Sequence, residues 1–441
     1  MFNKVPQGFL ALILFLIPAL VCADNLLDVF NLALENDPAL KAAQAQRQAT
    51  QESHPQTFAK LFPTISVEGH AGKRSQDLKE ALAANQSDLG TSVYNEIFVT
   101  LSLTQPLFNL SNFRNRKVSE VKLVKAELNY RIAQEKLLFR VAQTYFNTLS
   151  SIDKLNFARA EKNAIANQLQ QTKQRFDLGL TAVTDVHEAQ ARHDFALANE
   201  IKAESELANQ REALRGITGK LHDNLMMIKP DTPLIPPTPA NMNDWTEAAK
   251  GQNLHIAAKK MEADLIIQKL NVIRAEHYPT LDFNASYGYN DYGGAYLQKS
   301  LDAIVSLNFK MNIFEGNIVA SRIREQQFLL EKTIQEIEIK QREILQQTRS
   351  AYLGVLAGMS YVKALNQALK SSEQAIRAIS AGFEVGTRTA IELLDAQREL
   401  FRSQRDYSSS RYDYILNMLR LKIAVGLLSI DDLEQINNWL Y

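Results

Sequence analysis

The chain has 441 residues, and its 49 lysines and arginines are balanced by 49 aspartates and glutamates. That neutrality leaves no electrostatic footprint for nucleic acid and gives no support to an acidic substrate. A mean hydropathy of −0.22 excludes a bundle of membrane-spanning helices.

Residues 1–23 read as an export signal. Lys4 supplies the positive charge, residues 9–20 an apolar core, and Val21-Cys22-Ala23 a cleavage site before Asp24. The apolar core is shorter than the roughly 20 residues a membrane anchor needs. Lipid modification of Cys22 is an alternative that bulky Val21 disfavours. Cys22 is the single cysteine, so an exported chain must take its stability from packing or assembly rather than disulfides.

Residues 25–58 look mostly helical, with Asp37-Pro38 as a break and His54-Pro55 as an end signal. From Phe62-Pro63 the pattern alternates: Ile65, Val67, Gly69 and Ala71 on one face, Thr64, Ser66, Glu68 and His70 on the other. That is strand periodicity. After a polar stretch over 73–92, Ile97, Val99, Leu101 and Leu103 alternate with Phe98, Thr100 and Ser102 as far as Pro106. These patterns predict strands near 63–73 and 95–106. No proline occurs between Pro106 and Pro230, and residues 111–178 read as nearly continuous helix. At 1.5 Å per residue it would extend about 100 Å, which only other long helices can flank.

A glycine then breaks the helix. Phe176-Asp177-Leu178-Gly179-Leu180-Thr181 has a counterpart in Phe383-Glu384-Val385-Gly386-Thr387-Arg388, and the offset of 383 − 176 = 207 also pairs Tyr145 with Tyr352 and Gly219 with Gly426. The chain is therefore a duplication, with repeats over residues 24–220 and 244–427. Five of the twelve prolines fall within 230–239, making 221–243 a stiff linker. In the second repeat Leu281, Phe283, Ala285, Tyr287 and Tyr289 oppose Asp282, Asn284, Ser286 and Asn290. After a loop over 291–301, Val305, Leu307 and Phe309 oppose Ser306, Asn308 and Lys310. Strands are predicted near 279–290 and 303–312, and the tail over 428–441 is a short extra element of no assigned use.

Strands with one apolar and one polar face suit a barrel wall between lipid and water, or a half-buried sheet in a soluble protein. The export signal, Tyr287, Tyr289 and Tyr292 near one strand end and Phe62 and Tyr278 near the other favour the membrane. Four strands cannot close a barrel, so the reading requires more than one copy. After each glycine, small residues recur every seven positions: Ala182, Ala189, Ala196 and Ala203, then Thr389, Ala396, Ser403 and Ser410. Such spacing marks a packed helical seam, although alanine's helix propensity is a competing explanation.

These features together resemble the TolC family of outer-membrane efflux and secretion channels. The resemblance spans the mature chain and is sharpest at Gly382-Phe383-Glu384-Val385-Gly386-Thr387-Arg388-Thr389, Leu394-Asp395-Ala396-Gln397, Gly179-Leu180-Thr181-Ala182-Val183-Thr184-Asp185-Val186, and Gln105-Pro106-Leu107-Phe108 after the second strand. It implies a mainly α chain of long helical hairpins forming an α-barrel. Its four strands would complete a twelve-stranded membrane barrel in a homotrimer. Also implied are a location in the outer membrane of a Gram-negative bacterium and partnership with a periplasmic adaptor (membrane fusion) protein. An inner-membrane pump of RND or ABC type would complete the passive exit duct.

By the same resemblance, Asp185 and Arg388 correspond to gate residues at a periplasmic constriction, and Glu392 and Asp395 to an acidic ring facing the lumen. Phe383 stands where a tyrosine often joins the closed-state network, so that hydroxyl link is missing. Gly179 and Gly386 mark the hairpin breaks. Glu392 and Asp395 share a helix face, and copies around a narrow opening would attract blocking cations. Capping competes with this reading: Asp185-x-x-Glu188 and Thr389-x-x-Glu392 resemble N-terminal caps, which accounts for Glu188 but not for Asp395. No catalytic motif, resident metal site or cofactor signature occurs. The rival is an exported helical-hairpin adaptor with a soluble sheet and no channel.

Overall fold

The computed structural model describes residues 23–77, 80–81, 86–87, 91–293 and 298–441. The expected export segment, Ala23 apart, lies outside the described residues. In chain order the elements are α1 (Leu26–Asn36), α2 (Pro38–Gln51), α3 (Ser53–Ala59), β1 (Thr64–Asp77), β2 (Glu80–Ala81), β3 (Gln86–Ser87), β4 (Thr91–Asn109), α4 (Leu110–Asp177) and α5 (Val183–Thr218). There follow α6 (Met242–Gln252), α7 (Leu254–Ala275), β5 (Thr280–Tyr292), β6 (Gln298–Lys310), α8 (Ile318–Glu384), α9 (Ala390–Val425) and α10 (Ile430–Asn437). The duplication is geometric as well as sequential. α4 and α8 end 384 − 177 = 207 residues apart, and α5 and α9 match at both ends with the same offset.

Asp37 ends α1 and starts α2: its extended backbone stops the first helix, its carboxylate accepts from Leu40 N at 2.7 Å, and Pro38 occupies the first turn. Pro38 sits there at no cost, because the first helical N–H groups have no intrahelical partner. The same logic overturns the expected helix end at His54-Pro55. Pro55 lies in the first turn of α3, so it begins a short helix instead of ending one.

α4 and α8, of 68 and 67 residues, are each about 100 Å long. Away from the sheet, α5 packs on α4, α4 on α9 and α9 on α8. Toward the sheet, α7 fills the place between α4 and α8, and α2 lies along α4. α9 hands over to α7 at a tight junction. There the Asn253 side-chain amide donates to Ala424 O at 2.8 Å.

Four antiparallel strands form one sheet in the order β1-β4-β5-β6. Its register brings like to like: Val67 faces Leu101, Leu101 faces Tyr287, and Tyr287 faces Ala303, while Ser66, Ser102, Ser286 and Ile304 align on the other face. Because side chains alternate with period two, this phase makes one face nearly continuous in apolar residues. At their loop ends the strands exceed the predicted limits: β1 reaches Asp77, β4 starts at Thr91, β5 reaches Tyr292 and β6 starts at Gln298, all in mostly polar segments. There the hydrogen-bond ladder is joined by cross-strand ion pairs, Arg74 to Glu96 at 3.2 Å and Lys299 to Asp291 at 3.3 Å, and hydropathy gives no signal. At its other end β6 stops at Lys310, short of the predicted 312. Pro106 does not end its strand: β4 continues to Asn109 through a register shift between Pro106 and Phe108. A bulge accommodates a residue that cannot donate to the ladder.

The core sits at the waist, where Tyr145, Phe146, Leu149, Tyr414 and Leu419 of the long helices are sealed from water. The tail belongs to this core. Leu433 and Ile436 of α10 are fully buried, and Lys229 N donates to Trp439 O at 2.9 Å. The proline-rich linker is held to the waist as well, with the Tyr414 hydroxyl donating to Ile235 O at 2.6 Å.

Candidate functional site: the paired hairpin ends

Each long helix ends in the same way. Gly179 and Gly386 adopt φ of 73° and 79°, the left-handed region that favours glycine. Around the first, Leu180 N donates to Arg175 O and Gly179 N to Phe176 O, both at 2.8 Å. Around the second, Thr387 N donates to Gly382 O at 2.8 Å and Gly386 N to Phe383 O at 3.1 Å. This double reverse bond satisfies carbonyls the helix end would otherwise leave open. It turns the chain within a few residues, so α5 and α9 start beside the helices they follow.

The returning helices are capped differently. Thr389 and Glu392 form a reciprocal capping box at the start of α9. The Thr389 backbone N–H and then the Arg388 guanidinium hold the Glu392 carboxyl below the usual range. Arg388 Nη1 donates to Glu392 Oε1 at 3.0 Å. In the first repeat the cap is Ala182, without a side-chain bond, so Asp185-x-x-Glu188 is not a capping pair. Asp185 instead accepts the Thr181 hydroxyl. Positions 181 and 185 thus repeat the 388 and 392 arrangement, with threonine in the place of arginine. Among the described residues, no hydrogen bond or ion pair joins Asp185 to Arg388 within one chain.

Glu188 has a different role from the one expected. It is the repeat equivalent of Asp395 (188 + 207 = 395), and a single arginine bridges the two. Arg192 donates from Nη2 to Glu188 Oε1 at 2.9 Å and from Nη1 to Asp395 Oδ1 at 2.8 Å. Burial opposes the charge on Arg192, but its bonds to Glu188 and Asp395 outweigh that and raise the guanidinium pKa. The bridge ties α5 to α9, and hence one repeat to the other.

A second tie involves Phe383. The Arg175 guanidinium lies over its ring, 5.1 Å from the centroid, a cation–π contact between the last turns of α4 and α8. The position without a hydroxyl is therefore engaged through its ring face. Sequence reading missed both arginines. Arg192 could have been flagged as the i+4 partner of Glu188, whereas Arg175 carries no local signal, since its repeat equivalent is Gly382 (175 + 207). Gly382 has its own reason: a Cβ there would lie 2.6 Å from Arg388 Cγ.

Glu392 and Asp395 share a groove of about 270 Å³ between α8 and α9, lined also by Ser372, Ala375, Ile379 and Glu399. The seven-residue seam runs behind it. Ala189 and Ala196 are buried against Ile165, Leu169 and Leu394, and Ser403 hydrogen-bonds Ser372 at 3.0 Å. Small side chains at these positions let the helices approach closely. Among the described residues no group of histidine, cysteine, aspartate and glutamate is placed to hold a metal ion, and no helix is long and apolar enough to cross a membrane.

The family described as outer membrane efflux protein matches residues 29–220 and 245–427. Outer membrane protein TolC of Vibrio cholerae serotype O1 is 33% identical, over 99% of this chain and 98% of that protein. The alkaline protease secretion protein AprF of Pseudomonas aeruginosa is 27% identical, over 93% of this chain and 86% of that protein. The fold superposes on the CmeC outer membrane channel of Campylobacter jejuni with a TM-score of 0.76 and 16% identity, covering 95% of this chain and 90% of that one.

Proposed function

The chain belongs to the outer membrane efflux protein family, and from that premise we infer that this outer-membrane exit duct works as a homotrimer gated at its paired hairpin ends. It serves efflux and type I secretion, receiving substrates from an adaptor and an inner-membrane pump that supply the energy. The observation that carries the trimer is the sheet. Ile65, Val67, Val305, Leu307 and Phe309 are each about two-thirds exposed, and among the described residues β1 and β6 have no partner on their outer edges. Each such side chain gains about 1.5–3 kcal/mol on leaving water, so an apolar face of this size belongs against lipid. Hydrocarbon cannot satisfy an open strand edge. Neighbouring copies must therefore pair β6 with β1, and three copies give twelve strands around a bore.

The helices support the same assembly. Phe328, Ile339, Leu353 and Tyr361 stand exposed along α8, and Phe195 and Ile201 along α5. These are the two margins of the chain's helical layer, where neighbouring copies would meet. A periplasmic adaptor without a channel would leave both the sheet face and these stripes in water.

At the hairpin ends, among the described residues, the Arg388 side chain reaches only Glu392, in the first turn of the helix that follows it, so its role in closure is a link to Asp185 of a neighbouring copy. Glu392 and Asp395 from three copies would form the acidic ring, with Arg192 already neutralising part of it. The test is direct. Outer membranes are extracted with mild detergent, the particle mass is measured by light scattering, and the protein is placed in planar bilayers. A mass of three chains with ion conductance is expected. A membrane-free monomer that does not conduct would overturn the reading.

A further inference from the structure

The junction of α4, α7, α8 and α9 holds a groove of about 460 Å³ that the exit-duct reading does not use. Its floor is Ile344, Ala351, Gly354, Ile423 and Ala424, and its rim carries Lys136, His255 and Arg420 together with Asn253, Gln347 and Asn417. No carboxylate lines it. Lys340 adds to the positive field at His255, whose pKa is lowered by burial and then by Lys136 and Lys340. Of the nearby acids, Glu343 pairs with Lys340 at 3.0 Å, and burial pushes the Asp413 carboxyl up against the opposing pull of Arg420 and Lys154.

The duplication shows that the groove is particular to the second repeat. At the equivalent positions of α4, the first repeat has Arg140, Gln143, Thr144 and Asn147 where α8 has Gln347, Ser350, Ala351 and Gly354 (offset 207). Every one of these changes removes bulk. The first-repeat junction also carries its own ion pair, Arg140 to Asp37 at 2.5 Å, with Asp37 buried. In the second repeat the corresponding residues are neutral, Gln347 and Asn253, the cap of α7. The anion built into one junction is thus absent from the other, while two cations, Lys136 and Arg420, line the groove.

Gly354 sharpens the point. It lies in a helix interior, where glycine costs about 1 kcal/mol relative to alanine. Yet a Cβ there would meet Asn417 only at 3.8 Å, an ordinary contact. Packing therefore does not require glycine, and the residue keeps the groove open.

We propose that this groove binds a small amphipathic organic anion, its carboxylate or sulfonate on Lys136 and Arg420 and its apolar body on the Ile344–Gly354 floor. A bilayer lipid is not the occupant. Residue 344 is 26 residues beyond the start of α8, about 40 Å of helix away from the sheet. The anion belongs to the aqueous periplasmic or luminal side.

The probe is 6-(dansylamino)hexanoic acid, titrated by fluorescence onto the full-length protein in nanodiscs, with its methyl ester as the uncharged control. Saturable binding is expected, about tenfold weaker for the ester. The double variant Lys136→Gln, Arg420→Gln should lose a similar factor, and Gly354→Leu should abolish binding by filling the floor. Helical circular dichroism checks that each variant folds, and Lys363→Gln, outside the groove, should bind as wild type. Non-saturable partitioning, equal binding of acid and ester, or wild-type affinity in both groove variants would overturn the proposal. Bilayer conductance of the same samples tests the duct reading separately.

Discussion

The Arg192 bridge allows a quantitative prediction about the gate. Replacing Arg192 with Met keeps the packing of its stem but removes the charge that joins Glu188 to Asp395. Arg192 is about one-fifth exposed and Asp395 about half, so the bridge is worth about 1 kcal/mol per chain. Three copies opening together would lose about 3 kcal/mol of closure, which shifts the closed-to-open ratio about a hundredfold. Single-channel recording in planar bilayers, without divalent ions, reads this as a rise in open probability. The same variant leaves Asp395 with only the longer contact to Arg398 at 3.5 Å, so block by divalent cations should become stronger. Opening and tighter block together distinguish a lost bridge from general loosening. Adding Asp395→Asn to Arg192→Met should cause little further opening, because the pair is already broken. Wild-type open probability in a folded Arg192→Met protein would refute the argument.

The other predictions concern the remaining hairpin-end groups, the waist and a half-buried acid. Arg388→Ser should raise resting conductance in bilayers, whereas unchanged conductance in a folded trimer would remove its role in closure. Glu392→Ala with Asp395→Ala should weaken divalent-cation block, and block at wild-type strength would place the cation site elsewhere. Gly426→Ala should lower thermal stability by about 2 kcal/mol or more, since φ is 85° and the new Cβ would lie 2.8 Å from Gln252 O; an unchanged melting temperature would contradict that geometry. Burial raises the Glu135 carboxyl to about 7, so its folded state binds protons more tightly than the unfolded chain. That contribution is complete below the ordinary glutamate range and is lost as pH rises through 7. Discounted for partial exposure, Glu135→Gln should stabilise the protein by about 1 kcal/mol at pH 8 and hardly at pH 4, as read from melting temperatures at both values.

Much of the architecture is local and therefore legible in the residues. Alternation such as Val67 against Glu68 marks a strand because side chains alternate across a sheet. Gly179 and Gly386 mark hairpin ends because few other residues take their backbone angles. The long proline-free tract predicts α4 nearly to the residue, 111–178 against Leu110–Asp177, and the 207-residue offset predicts that both repeats turn alike. Where local rules misled, a local geometry was ambiguous. Pro55 reads equally as a helix end or a first turn, and Pro106 as a strand end or a bulge.

Partner choice at the hairpin ends was of another kind. Arg192 meets Asp395 across 203 residues, and Arg175 finds the ring of Phe383 although its own repeat equivalent is a glycine. Neither follows from periodicity, because the docking of α4 and α5 on α8 and α9 sets which side chains come within reach. The anion-lined and anion-free junctions at Asp37 and Asn253 are separated for the same reason. The sequence by itself determined two copies of one hairpin-and-strand unit, since helix ends and strand faces are written in neighbouring residues. Only the tertiary structure decided how the copies differ, because charge neutralisation and groove volume depend on atoms brought together from distant parts of the chain.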